Sequence, residues 1–136
     1  MAVVYYSPLQ FMFWYDGPEA YKGERELKFW KDVPTVWDES KALDGNPGEY
    51  IVQARRSKSD WYLGIMTNKS ARKIIVNTSD FLTPKKKYTA EIYTDDPSLK
   101  TRTNVKTTIK TIKGGEKLEF NLLASGGAAV RFVPIQ

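Results

Sequence analysis

The sequence contains no cysteine and no histidine. Without cysteine there is no disulfide and no thiol nucleophile, and without histidine there is no Ser-His-Asp triad and no histidine-based zinc site. Long apolar runs are also missing, because the longest, near residues 11–15, is far too short to span a bilayer. We therefore expect neither these catalytic centres nor a membrane partner.

A concentrated basic surface is missing as well. Lysine and arginine number 21 against 16 acidic residues, for a formal net charge of +5. The basic residues are spread along the chain, and the densest run, 85–87, is three lysines long. Nucleic-acid binding needs basic residues clustered on one face, so this distribution indicates a solvated surface and no nucleic-acid partner.

The N-terminus lacks the pattern of a signal peptide, in which a basic region precedes an apolar core and a cleavage site. The chain instead starts in apolar sequence, MAVVYYSPLQ. Natural domains usually begin with more polar residues, so this start predicts a piece cut from a larger protein.

The first third of the chain has short helical patterns. Residues 3–6 predict a brief apolar strand, and Ser7 with Pro8 forms a helix-start signal. A helix over 9–15 would be apolar on every side, and a second helix would run over 18–32. We refer to 1–33 as the helical leader. It is too small to bury its own aromatic side chains, so we expect it to cover another surface.

The remainder has the period-two alternation of β-strands separated by polar and glycine-rich turns. Seven strands are predicted over 49–56, 60–68, 72–78, 87–95, 104–112, 117–123 and 128–135. The pairs Gly114-Gly115 and Gly126-Gly127 are interpreted as hairpin turns. The fold class is therefore mainly β, an antiparallel β-sandwich of about seven to eight strands. The division is leader 1–33, linker 34–48 and sandwich domain 49–136.

Several blocks, taken in order, resemble the C-terminal region of glycoside hydrolase family 97, the bacterial α-glucosidases and α-galactosidases. They are YYSPLQ with Asp16-Gly17-Pro18, VPTVWDESKALDG, GEYIVQARR, WYLGIMTNKSAR, FLTPKKKYTAEIYTDDP and LLASGGAAVRFVPI. The first block resembles the closing strand and helix of that family's (β/α)8 barrel. The second resembles its linker, and the rest resemble its C-terminal sandwich.

The resemblance implies a non-catalytic accessory domain of a periplasmic or exported enzyme. The catalytic acid, the base or nucleophile and the calcium ligands of the family lie upstream, and none maps onto a residue of this chain. We therefore expect no catalytic residue, metal ligand or cofactor here. The expected partners are further copies of the chain or a catalytic barrel, contacted through the apolar leader. The compartment of this chain is not determined.

Two adjacent carboxylates, Asp38 and Glu39, follow Trp37 in the predicted linker. Glycoside hydrolysis needs two carboxyl groups on opposite sides of the scissile bond, about 5 Å or more apart. Adjacent residues usually point in different directions, so we expect local caps or ion pairs, with Trp37 filling the seam between leader and sandwich. By the same reasoning, Asp95-Asp96-Pro97-Ser98 is a plain turn rather than a calcium loop.

A carbohydrate-binding module is the alternative function. Its candidate sugar contacts are Trp37, Trp61, Tyr62 and Asn68, since flat aromatic rings suit the apolar faces of sugars. However, alternation along a strand would send Trp61 and Tyr62 to opposite faces of the sheet. Packing in a core or an interface is therefore the preferred interpretation of these aromatics.

Overall fold

The computed structural model describes residues 1–7, 9, 25–100 and 103–135. Within these residues there are one α-helix and eight strands. They are α1 Leu27–Asp32, β1 Glu39–Asn46, β2 Tyr50–Ser57, β3 Asp60–Thr67, β4 Arg72–Asn77, β5 Lys87–Asp95, β6 Val105–Lys113, β7 Lys117–Leu122 and β8 Gly127–Pro134.

The strands form two antiparallel sheets. Six strands make a large sheet in the order β1-β2-β3-β8-β5-β6, and β4 pairs with β7 in a small one. We call the face of the large sheet that packs on the small sheet the inner face, and the opposite one the outer face. The mainly β, antiparallel sandwich predicted from the sequence is confirmed.

The main core lies between the two sheets. Every second residue of β7 and β8 is buried, which is the period expected when one side of a strand packs and the other does not. The largest fully buried apolar side chains of this core are Val52, Leu63, Ile65, Ile112, Val130 and Phe132. This core makes the sandwich.

All seven predicted strands are present, and their ends agree to within one residue. The sequence missed β1, because the stretch 39–46 was placed in the predicted linker. No residue of β1 is fully buried, and its half-buried positions Glu39, Lys41 and Leu43 include two charged residues, so the apolar alternation that reveals a strand is absent from the sequence. Its pairing with β2 is interrupted by a bulge between Ala42 and Asp44. Backbone hydrogen bonds and charged cross-strand contacts therefore define this strand, rather than apolar burial.

The glycine pairs are tight turns, but they are not hairpins. β6 pairs with β5 while β7 pairs with β4, so the turn at Gly114-Gly115 carries the chain from one sheet to the other. A Cβ on Gly114 would lie 2.0 Å from the carbonyl oxygen of Thr83. Glycine is needed there because two backbones pack closely. The turn at Gly126-Gly127 also crosses between sheets.

The described part of the leader departs from the predicted strand over 3–6. The N–H groups of Val4 and Tyr5 both donate to the carbonyl oxygen of Met1, at 2.9 Å, which closes a turn. The helix predicted over 9–15 lies outside the described residues except for Leu9, and α1 corresponds to the end of the second predicted helix. Among the described residues, none of the helical structure has the length and apolarity that a bilayer crossing requires.

Candidate interaction face

The outer face of the large sheet is covered by the leader and the residues that follow it. A second hydrophobic cluster forms there from Val3, Phe29, Trp37, Tyr62 and Tyr93, all buried. The rings meet edge to face, with centroids 5.2 Å apart for Phe29 and Tyr93 and 5.2 Å apart for Trp37 and Tyr62. Such aromatic pairs contribute about 0.5–1.5 kcal/mol beyond their buried area. The leader therefore packs on the sandwich through its own small core.

Gly64 lets the leader approach the sheet closely. It lies on the outer face of β3, between the buried side chains of Leu63 and Ile65 on the inner face. A Cβ at this position would lie 2.9 Å from the Cβ of Val3 and 3.0 Å from a methyl carbon of Val4. Atoms separated so narrowly overlap, so a side chain at residue 64 would push the leader away.

Arg55 holds the same part of the leader through its main chain. Its Nε donates to the carbonyl oxygen of Val3 at 2.6 Å, and its Nη2 donates to that of Val4 at 3.2 Å. The guanidinium also lies 5.2 Å from the ring centroid of Tyr6 and 6.0 Å from that of Trp37. Burial lowers the pKa of Arg55, yet arginine stays charged in proteins. Carbonyl dipoles and aromatic faces thus compensate this buried charge.

Ion pairs attach α1 to the sheet. Lys28 contacts Asp32 at 2.8 Å and Glu91 at 2.7 Å, and Arg131 contacts Asp60 at 2.8 Å. Arg131 also pairs with Asp32. The hydroxyl of Tyr62 donates to the carbonyl oxygen of Asp32 at 2.9 Å. The end of α1 is therefore held by charge and hydrogen bonding as well as by the aromatic cluster.

The chemistry of these carboxylates differs from that of a glycosidase. The hydrogen bond from Lys28, followed by the positive charge of Arg131, lowers the pKa of Asp32 despite the opposing effect of burial. A general acid needs a raised pKa so that it keeps its proton at neutral pH. One oxygen of Glu91, Oε2, is buried without a hydrogen bond but lies 3.8 Å from Arg131. The cluster is suited to holding α1.

The residues predicted as sugar contacts do not share one open surface. Trp37 and Tyr62 are buried in the cluster under the leader, and Trp61 is buried in the main core against Phe81. Alternation does send Trp61 and Tyr62 to opposite faces of β3. Asn68 is half-buried, and its Nδ2 donates to the carbonyl oxygen of Gly48 while its Oδ1 accepts from the N–H of Ser70. The three aromatics are structural, and Asn68 shapes a turn.

Asp38 and Glu39 make local contacts, as expected. Asp38 accepts a hydrogen bond from the N–H of Lys58 at 2.6 Å, and Glu39 pairs with Arg56 at 3.1 Å. The pKa of Glu39 is lowered, chiefly by its hydrogen bond with Arg56. Both residues therefore stabilise the β1–β2–β3 corner.

The acidic loop is also a turn. Asp96 accepts from the N–H of Ser98 at 3.0 Å and from its hydroxyl at 2.6 Å. Asp95 accepts from the N–H of Gly127 at 2.9 Å. Within the described residues, no group of three or more acidic side chains is arranged to hold a metal ion. The two aspartates thus tie local backbone in place.

Sequence reasoning missed the residues that make the interaction face. Arg55, Gly64, Glu91 and Arg131 each lie in a predicted strand at a position that alternates with core residues. An arginine or glutamate at such a position looks like an ordinary solvent-exposed residue. The sequence indicated only that the leader needs another surface to cover. It did not identify the residues of that surface.

In this β-sandwich the outer face of the large sheet is covered by an apolar leader, and the carboxylates there are ion-paired. This arrangement is that of a packing module rather than a catalytic one. A family model described as "Glycosyl-hydrolase 97 C-terminal, oligomerisation" matches residues 36–133. The chain belongs to this family of oligomerisation domains.

Known relatives give the same result and show the extent of the match. A retaining α-galactosidase from Bacteroides thetaiotaomicron is 40% identical over 131 residues, which is 95% of this chain and 19% of the relative. A family 97 enzyme from Pseudoalteromonas sp. strain K8, solved with acarbose, superposes with a TM-score of 0.76 at 36% identity. That match covers 89% of this chain and 20% of the enzyme.

A third relative is named for a different sugar. The crystal structure of a β-arabinopyranosidase matches with a TM-score of 0.66 and 29% identity, over 85% of this chain and 18% of the other. This chain spans about one fifth of the length of its relatives. Within the matched part, residues 36–133 form the C-terminal oligomerisation domain, which is a non-catalytic accessory domain.

Proposed function

We propose that this domain assembles a family 97 glycosidase, joining copies of the enzyme while its leader packs against the catalytic barrel. The observation that supports the barrel contact is the leader itself. Its residues Val3 and Phe29 are buried on the sandwich together with Trp37 of the linker. Large apolar residues of the leader are also exposed to solvent, namely Met1, Tyr5, Tyr6, Leu9 and Trp30.

A segment with apolar residues both buried on the sandwich and exposed to solvent is suited to lie between two folded domains. Isolated exposed apolar residues are common on proteins, but Met1, Tyr5, Tyr6 and Leu9 all lie within the first nine residues, and such a concentration marks an interaction surface. The barrel is the proposed occupant because the leader resembles the last β/α unit of that barrel. The sugar that the enzyme hydrolyses would be selected by the barrel.

The barrel contact is tested by mixing. The catalytic portion of the Bacteroides relative, prepared without its own C-terminal domain, is combined with this chain and analysed by size-exclusion chromatography. We expect co-elution, and we expect the double substitution Tyr5→Ser and Tyr6→Ser to weaken it strongly. Lys73→Ser, on the exposed side of the small sheet, serves as the control. Equal co-elution of both variants would contradict the leader as the contact.

The assembly and accessory roles are tested on this chain alone. Multi-angle light scattering at micromolar concentrations should give a mass above the 15.6 kDa monomer. Incubation with p-nitrophenyl α-glycosides should release no nitrophenol above the buffer rate. A monomer at every concentration would contradict the assembly role, and turnover lost on substituting a carboxylate would contradict the accessory role.

A further inference from the structure

The large sheet has two free edges among the described strands, and they differ in regularity. β1 is bulged, a feature that protects an edge from pairing. β6, at the other end, pairs with β5 over nine consecutive residues with no register shift. It contains no proline, and Ile109 at its centre is 65% exposed. The regular edge is the one able to accept another strand.

The free backbone groups of β6 can be assigned. The N–H of Lys113 donates to the side chain of Glu116, and the carbonyl of Lys87, opposite Lys113, accepts from Ile135. The backbone N–H and C=O groups of Lys113 therefore point away from Lys87, and those of Lys87 point away from Lys113. Because these directions alternate along a strand, the N–H and C=O of Ile109 also point outward, away from β5.

From this geometry we infer that two copies of the domain associate through β6, antiparallel, with Ile109 opposite its own counterpart on a two-fold axis. The inference deepens the proposed assembly role by naming the surface that joins the copies. A two-fold axis perpendicular to the sheet keeps each face on the same side, so each residue must oppose one of the same parity. Only registers shifted by whole two-residue steps are then allowed.

The lysines of β6 select among these registers. The register centred on Ile109 pairs all nine residues and sets Lys106, Lys110 and Lys113 opposite Ile112, Thr108 and Val105. Centring one residue earlier sets Lys106 opposite Lys110, and centring one residue later sets Lys110 opposite itself. Like charges directly opposite are destabilising. The lysines therefore penalise the two nearest shifted pairings, and larger shifts pair fewer residues of β6 than the full-length register does.

The selected register also matches charge across the edge. Lys113 of one copy lies in line with Val105 of the other, and Val105 is itself paired with Asp95 on β5. Lys113 of one copy thus approaches Asp95 of the other copy, which lies two strands away in the joined sheet. The exposed Ile109 side chains come together on the outer face, which removes the most exposed isoleucine of the described residues from water.

The experiment introduces a charge at the axis. Ile109→Lys would place two lysines opposite each other and remove the apolar contact, so the dimer dissociation constant from sedimentation equilibrium should rise about tenfold or more. Ile75→Lys is the matched control, since Ile75 is an isoleucine 58% exposed on a strand of the small sheet. Circular dichroism checks that both variants remain folded.

A cross-linking measurement gives an independent readout. Because the chain has no cysteine, Ile109→Cys introduces a unique thiol that a short bis-maleimide can join only to its own counterpart. We expect a covalent dimer from Ile109→Cys and none above background from Ile75→Cys. A wild-type protein that is monomeric would overturn both the assembly role and this surface. An oligomer that survives Ile109→Lys and is not cross-linked through residue 109 would overturn the surface alone.

Discussion

Trp37 shows how one residue joins two parts of the chain. It is 8% exposed, and its ring lies against Tyr62 under the leader, while its neighbour Val36 is 62% exposed. The prediction that Trp37 fills the seam is confirmed by this placement. The adjacent carboxylates contact backbone and arginine at the same corner, so the four-residue stretch 36–39 connects leader and sandwich.

Trp37→Ala should lower the free energy of unfolding by about 3–5 kcal/mol, the usual cost of truncating a buried tryptophan. Urea denaturation followed by circular dichroism measures the change. Val36→Ala is the matched control and should alter stability by less than about 0.5 kcal/mol, as surface substitutions do. Equal stability of Trp37→Ala and the wild type would show that the indole is not part of a packed seam.

Gly64 offers a second test at a single position. Gly64→Ala should destabilise the protein by about 1–3 kcal/mol, because the added methyl group overlaps Val3 and Val4. The same substitution in a chain lacking residues 1–4 should have little effect, because the atoms that it meets are gone. A cost that is independent of those residues would place the strain elsewhere.

At the scale of elements, α1 is held to the sheet partly by charge. The pKa of Asp32 is lowered below its ordinary value of 3.8 in the folded state, first by the hydrogen bond from Lys28. A carboxyl group of this kind stabilises the fold above its unfolded pKa. That stabilisation is lost as the pH falls from about 4, the unfolded pKa, through the lower pKa that Asp32 has in the folded protein.

The stability difference between wild type and Asp32→Asn should therefore be constant near neutral pH and shrink below about pH 4. Urea titrations over the acid range provide the measurement. Lys28→Met removes the hydrogen bond that chiefly lowers the pKa of Asp32, so it should reduce this pH dependence of stability. A difference that stays constant into strong acid would mean that Asp32 does not stabilise α1 through its charge.

The elements also show what a sequence reveals and what it conceals. β7 was predictable because Leu118, Phe120 and Leu122 are buried in strict alternation. β1 was not, because two of the three half-buried residues on its inward side, Glu39 and Lys41, are charged, so its sequence shows no apolar alternation. The turns at the glycine pairs were predictable from glycine itself. Their role in crossing between sheets depends on which strands pair, and local composition contains no information on that.

At the scale of the whole molecule, the division of the chain into 1–33, 34–48 and 49–136 is a prediction that truncation can test. A chain of residues 34–136 retains β1 and should fold, with increased binding of the dye ANS because the outer face loses its cover. A chain of residues 49–136 lacks β1 and should aggregate, since β2 would become an unprotected edge containing Val52 and Ala54. Light scattering and circular dichroism compare the two, and equally soluble, equally folded truncations would support the predicted boundary at 49.

The alternative role in glycan binding belongs to the same scale, because it needs residues from several elements on one surface. The structure distributes the candidate residues over two cores and an exposed turn. We expect calorimetry with maltooligosaccharides to give no heat of binding, and Trp61→Ala to reduce stability instead. Binding that is abolished by Trp61→Ala without loss of folding would contradict this expectation.

The sequence by itself determined the strands that bury one side, the absence of cysteine and histidine chemistry, and the resemblance to a family. These follow from local alternation, from composition and from ordered blocks of residues. Only the tertiary structure decided that Arg55 and Gly64 receive the leader, that β1 completes the sheet and that β6 is the regular free edge. Those features depend on which backbones lie side by side, and neighbours in space are set by the packing of the whole chain rather than by any short stretch of it.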